Sequence, residues 1–250
     1  MSYRNDPNGS RPASDVRAAG ADAGPIGFPR LNEPAPYFEA KTTHGTRRLT
    51  DYKGKYLVLF SHPADFTPVC TTEFIGFAKH HDEFSALDTE LLGLSIDSNF
   101  AHLAWLRNME EKLGVAIPFP VIEDLSMRVA HAYGMIHPAS SETSAVRAVF
   151  VIDREGILRA MIYYPKDNGR SIPEIVRLVR ALQTTDEHQV ATPEGWTPGD
   201  RVIVPPPATL EEASNRIAMA AEGELECIDW YLCKKDLPES APRSAELQEA

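Results

Sequence analysis

The 250-residue chain reads as an α/β protein, a mixed central sheet flanked by helices, with a C-terminal arm or small domain. Three observations carry this reading. Two apolar runs of strand character, YLVLFS at 56–61 and LLGLSID at 91–97, are each followed by a stretch of helical period, the order of parallel strands and crossover helices. Two β-rich runs, 146–153 and 158–164, are joined by Asp153, Arg154, Glu155 and Gly156, a hairpin signal that adds antiparallel strands. Past about residue 186 the periodicity gives way to a Pro-rich extended stretch, WTPGDRVIVPPP at 196–207.

In chain order, residues 1–28 hold Gly, Ala, Pro, Ser, Asp and Arg without period and are expected to form a disordered tail. The main domain is expected over 29–186 and the arm over 187–250. A short β-type opening at 37–40 meets a polar turn around His44 and Gly45. Phe74, Phe77, Ala78, His81 and Phe84, at spacings of three and four, predict a helix behind the first apolar strand. Ser98 offers an N-cap for a helix to about Leu113, Val121–Ile122 a short strand, and 125–133 a short helix ending at Gly134. After the hairpin, Ser171 and Pro173 cap a helix to about Leu182. In the arm, a helix is expected from Thr209 to about Ala221, then an aromatic patch at 229–232. About 65 residues without a core of their own are read as an arm lying on the main domain or on a neighbouring subunit.

Composition excludes several function classes. A net charge of −11 argues against a nucleic-acid partner. No apolar run approaches the ~18 residues of a membrane span. The first residues lack the apolar centre of a signal peptide, and three cysteines in a chain of this length point to a reducing compartment. A cytoplasmic protein is the expectation.

Chemistry concentrates at Cys70, placed after a strand, in a turn set by Pro63 and Pro68, at the start of a helix. A cysteine in the first turn of a helix meets unpaired N–H groups and the positive end of the dipole, which favour thiolate over thiol. Free cysteines are more often buried and inert, and that reading stays open on the residues alone. His80, His81, Asp82 and Glu83 look like a ligand cluster, but helical adjacency points them apart; a solvated face is expected there and at 222–226.

The stretch FSHPADFTPVCTTE at 60–73 carries Pro63-x-x-x-Thr67-x-x-Cys70 and closely resembles the one-Cys sequence class of the peroxiredoxins. The resemblance continues through LSIDS at 94–98, HLAW at 102–105, RAVFVID at 147–153 and PGDRVIVPPP at 198–207. It implies a thioredoxin-like fold and reduction of hydrogen peroxide and organic hydroperoxides at Cys70, with no metal or organic cofactor. Matched positions assign Thr67, Arg147 and the N–H groups near Val69 and Cys70 to the breaking O–O bond, and Pro63 to shielding the sulfur. Arg147 opens a strand, where an arginine is otherwise a solvated edge residue. Glu73 is placed to fix that arginine, His62 to hydrogen-bond near the sulfur, and Arg170 resembles a second arginine of related sequences. Cys227 and Cys233 make a poor zinc pattern. The plain reading is two packed cysteines; the chain resembles long-armed, archaeal-type members, which implies that Cys233, with Cys227 second, resolves the Cys70 sulfenic acid across a dimer interface. A thioredoxin-like or small-thiol donor and homodimers, commonly in rings of dimers, are implied with it. The phospholipase segment Gly-x-Ser-x-Gly of some relatives is absent, since 53–57 read KGKYL.

Ionisation alone does not make such a site fast. A cysteine whose pKa falls from about 8.5 to about 6.5 raises its thiolate fraction at pH 7 from roughly 3% to about 75%. Its nucleophilicity falls roughly six- to tenfold along a Brønsted slope of about 0.4–0.5, so the net gain is a few-fold. The rest has to come from stabilising the charge that moves to the departing oxygen. A thiol–disulfide oxidoreductase on the same fold would need a second cysteine in Cys-x-x-Cys spacing, which 69–72 lacks. A holdase or structural ring is the non-enzymatic rival.

Overall fold

A computed structural model describes residues 28–223 and 225–237; the expected tail lies outside them except for Phe28, whose ring packs edge-on against His137 and Tyr163. Strand β3 (Tyr56–Ser61) is buried along its whole length, as its unbroken apolar run requires. It pairs in parallel with β4 (Thr89–Ser95), which pairs in parallel with β5 (Val121–Glu123). On its other side β3 pairs antiparallel with β6 (Arg147–Ile152), which forms the expected hairpin with β7 (Leu158–Tyr164). The opening hairpin, β1 (Glu39–Thr42) and β2 (Gly45–Arg48), closes the far edge, giving the order β2-β1-β5-β4-β3-β6-β7.

Alternation along β3 divides the core. Leu57 and Leu59 face one side with Tyr133 and Phe150, under the short helix α4 (Arg128–Ala132). Tyr56, Val58 and Phe60 face the other, against α1 (Pro68–Lys79), α2 (His81–Ala86), α3 (Asn99–Leu113) and α5 (Ile172–His188). Ser98 caps α3 by accepting from the Ala101 N–H, and Gly114 ends it in the left-handed conformation. The expected helix through Phe84 breaks at His80, so α1 and α2 are separate. Helix α5 runs six residues past the expected Leu182, because Ala181 continues into the cluster of Val190, Trp196 and Val202 that roots the arm.

The arm contains β8 (Val202–Ile203), α6 (Leu210–Ala221), β9 (Glu226–Asp229) and β10 (Leu232–Lys235). The three strands make a small antiparallel sheet in the order β8-β10-β9. The aromatic patch at 229–232 is the turn of its hairpin. Helix α6 has the expected Thr209 capping box with Glu212, but no residue of it is buried.

Candidate active site

The chain leaves β3 at Ser61, turns through 62–67 and enters α1 with Thr67 as N-cap and Pro68 in the first turn. Cys70 thus lies in the first helical turn as expected, buried, with a free thiol. The first intrahelical bond runs from the Thr71 N–H to the Thr67 carbonyl (3.0 Å), so the N–H groups of Val69 and Cys70 precede the ladder at its positive end. Phe66, just before the cap, adopts φ 55°, a conformation that a bulky residue keeps only when its surroundings impose it.

Arg147 opens β6 next to β3 and is buried, not a solvated edge residue. Its Nη1 lies 3.3 Å from Cys70 Sγ and 2.7 Å from Glu73 Oε2, while Nε donates to the Lys166 carbonyl. Ser61 aligns the strand start, donating to the Val146 carbonyl and accepting from the Ala148 N–H. Glu73, one turn beyond Cys70, also accepts from Arg170 through the backbone N–H (2.8 Å), Nε (2.9 Å) and Nη2 (2.8 Å). The remaining Arg170 nitrogen donates to the Ser61 and Ala148 carbonyls, so this one side chain ties together β3, β6 and α1. Burial pushes the Glu73 carboxyl up, but hydrogen bonding and charge from Arg170 with the charge of Arg147 outweigh it and hold it below the usual range. Burial likewise pulls the Arg170 guanidinium down despite its Glu73 partner. Two guanidinium groups against one carboxylate leave the pocket a single positive charge, the complement of a thiolate.

The Thr67 hydroxyl donates to the Ala64 carbonyl (2.8 Å), so the resting site offers its oxygen lone pairs rather than its proton. Pro63 is half-buried in the same turn. His62 does not reach the sulfur through a hydrogen bond; its Nε2 meets Asp65 Oδ1 at 2.8 Å, and its buried Nδ1 has no partner. The other Asp65 oxygen meets His102 Nδ1 at 2.7 Å, and the Asp65 N–H donates to Asp97. Sequence reasoning gave no role to Ser61, Asp65, Asp97 and His102, although all four lie in the matched segments at 60–73, 94–98 and 102–105. His62, Asp65 and Asp97 bring potential metal-ligand atoms within 4.8 Å of one another, but both Asp65 oxygens already accept hydrogen bonds, and the group forms a hydrogen-bonded network.

Cys227 and Cys233 face each other across β9 and β10 and are joined in a disulfide. The two packed cysteines of the plain reading are thus covalently joined, a pairing that the sequence analysis did not foresee. Helix-face residues expected to be solvated are partly engaged: Glu83 pairs with Arg180 of α5, and His80 Nδ1 bonds the Gly76 carbonyl. Among the described residues no helix is long and apolar enough to cross a membrane.

Residues 31–161 match the AhpC/TSA family, and residues 181–218 match the C-terminal domain of 1-Cys peroxiredoxin. The peroxiredoxin of Aquifex aeolicus is 57% identical over 221 residues, covering 84% of this chain and 98% of that protein. The chain belongs to the peroxiredoxin family. The Methanocaldococcus jannaschii peroxiredoxin is 53% identical over 217 residues, covering 84% of this peroxiredoxin and all 100% of the relative. Among solved structures, a yeast mitochondrial 1-Cys peroxiredoxin superposes with a TM-score of 0.74 at 38% identity, over 84% of this chain and 100% of that one. A cysteine mutant of peroxiredoxin 6 of Arenicola marina does so with a TM-score of 0.74 at 34% identity, over 84% and 99%. This peroxiredoxin is therefore a thiol peroxidase of mixed-sheet fold with a C-terminal extension.

Proposed function

We propose that Cys70 reduces hydrogen peroxide and small organic hydroperoxides, and that an arm cysteine resolves the product. The observation that carries the first step is Arg147 Nη1 at 3.3 Å from Cys70 Sγ, fixed from behind by Glu73. The thiolate attacks the terminal oxygen of ROOH, the O–O bond breaks, Cys70 becomes the sulfenic acid, and RO⁻ leaves to be protonated to ROH. Arg147 and the Val69 and Cys70 N–H groups stabilise charge on the departing oxygen, and Thr67 accepts the hydroperoxide O–H. Pro63 limits access of water, Glu73 and Arg170 hold Arg147 in place, and His62, tied to Asp65, braces the turn ahead of Cys70.

Cys233 of a second subunit then attacks the sulfenic sulfur, forming a Cys70–Cys233 disulfide and water. Attack of Cys227 on the Cys233 sulfur frees Cys70 and leaves the arm disulfide present in this structure. Cys227 is partly exposed whereas Cys70 is buried, which favours a thioredoxin-like or small-thiol donor acting on the arm. The yeast mitochondrial relative is described as resolved through glutathione and thioredoxin systems, in keeping with such a donor. A homodimer, assembled into a ring of dimers, brings arm and pocket together.

Non-reducing gels and peptide mapping after one equivalent of peroxide test this order. Cys227→Ser should accumulate a covalent dimer through Cys70 and Cys233, and Cys233→Ser should abolish it. An unchanged covalent dimer in Cys233→Ser would reverse the assignment.

A further inference from the structure

Ser61 ends β3 where backbone pairing gives way to a side chain. On one side the strand stays with β4, through the Ser61–Leu94 pair and the His62 N–H donating to the Leu94 carbonyl at 2.9 Å. On the other side the last residues paired with β6 are Phe60 and Val149. Beyond them the buried Ser61 hydroxyl takes over, donating to the Val146 carbonyl at 2.6 Å and accepting from the Ala148 N–H at 3.1 Å. These two groups belong to the peptide units on either side of Arg147. One oxygen thus bridges both units, and their mutual orientation is the φ and ψ of Arg147, which set where its side chain starts. The far end of that side chain is gripped separately. Nε donates to the Lys166 carbonyl at 2.8 Å, and Nη1 meets Glu73 at 2.7 Å and Cys70 Sγ at 3.3 Å.

We infer that Ser61 is a positioning residue of the peroxidase reaction: its hydroxyl fixes the backbone of Arg147 and so the point from which the guanidinium reaches the breaking O–O bond. Without the hydroxyl, the Ala148 N–H loses its acceptor and the Val146 carbonyl loses this donor, both in buried surroundings. Buried polar groups in that state shift to find other partners, and Arg147 shifts with them. A misplacement of about 1 Å costs up to about 10²-fold in rate. The grip of Glu73 and Lys166 on the far end keeps the displacement smaller. The strands themselves stay joined, because the pairs from Leu57–Ile152 to Phe60–Val149 do not use the hydroxyl. Arg170 Nη1 also holds both strand ends, through the Ser61 carbonyl at 2.9 Å and the Ala148 carbonyl at 2.8 Å. The inference rests on Arg147 acting on the O–O bond as proposed above.

The test compares reduced wild type, Ser61→Ala, Ser61→Thr and Arg147→Lys in two reactions of Cys70, with hydrogen peroxide and with iodoacetamide, each as a rate per thiolate. Alkylation is followed at Cys70 by peptide mapping and reports the sulfur alone, since the displaced iodide leaves no oxygen for Arg147 to stabilise. Ser61→Ala should react with peroxide about tenfold more slowly, less than the ~10²–10³ expected of Arg147→Lys, while its alkylation rate stays that of wild type. Ser61→Thr keeps the hydroxyl and should restore most of the peroxide rate. A purely structural role would lower stability and leave both rates of the folded protein unchanged. Should Ser61→Ala not fold, Ser61→Val against Ser61→Thr makes the same comparison, with a methyl for the hydroxyl in an equally strand-favouring shape. If Arg147→Lys reacts with peroxide like wild type, the role of Arg147 itself falls. If Arg147→Lys is slow while Ser61→Ala keeps the wild-type peroxide rate, or slows in both reactions alike, the positioning role alone falls.

Discussion

At the scale of single residues, the site is an arrangement of buried charge. Glu73 serves two arginines, and removing its charge leaves both guanidinium groups without a counterion in the core. Glu73→Gln should destabilise the reduced protein by about 3–5 kcal/mol in denaturant unfolding, the cost of breaking a buried pair; a loss under about 1 kcal/mol would mean that water reaches the pair. Acid acts through the same groups. His62 is held below 6.5 in the folded state, so as pH falls through that value the unfolded chain takes up the proton first and stability declines. Glu73 and Asp65, held below 4.5 and 3.8, keep their contribution above those values and lose it only as pH drops further. Unfolding free energies from urea should therefore fall in two stages, beginning near pH 6.5 with a slope of at most about 1.4 kcal/mol per pH unit for each of the two lowered histidines, His62 and His44. His62→Gln should weaken the first stage and leave the part that His44, lowered by burial and by Arg47, contributes. Cys70, Thr67, Glu73 and Arg147 were legible because the strand-turn-helix pattern and the matched motif place them. The Asp65–His102 pair was not, since its members are 37 positions apart and only folding brings α3 over the turn.

At the scale of elements, α1 does two jobs, presenting Cys70 at its start and packing Phe74 and Phe77 under the sheet. Phe77 stacks on Phe60 of β3 with ring centroids 4.0 Å apart, and the Arg170 guanidinium lies 5.7 Å from the Phe77 ring centre. Phe77→Ala should cost about 3–5 kcal/mol and also loosen Arg170, so peroxide reactivity falls along with stability; stability lost with reactivity unchanged would separate helix packing from the site. Gly76 lets α1 approach α5 closely: a Cβ there would come within 3.0 Å of Ile172 Cγ1. The strands and long helices were readable from period and caps, as with Ser98 ahead of α3. The β9–β10 hairpin was not, because Ile228, Trp230 and Tyr231 stay exposed in a single chain and alternation has no buried face to report.

At the scale of the whole molecule, the seven-stranded sheet and its helices continue into an extension rooted through Trp196 and Val202 on the end of α5. Leu210 and Ile217, seven residues apart on one face of α6, remain exposed in the single chain and fit the proposed packing on a second subunit. Everything upstream of the arm depends on one claim, that Arg147 and the first turn of α1 stabilise the breaking O–O bond rather than merely ionise the sulfur. Rapid mixing of reduced enzyme with hydrogen peroxide, expressed as a rate per Cys70 thiolate, tests it most directly. The account predicts a rate far above that of a free cysteine thiolate, and a loss of about 10²–10³-fold in Arg147→Lys, the cost of removing one oriented donor. A wild-type thiolate no faster than free cysteine, or an Arg147→Lys enzyme as fast as wild type, would contradict it.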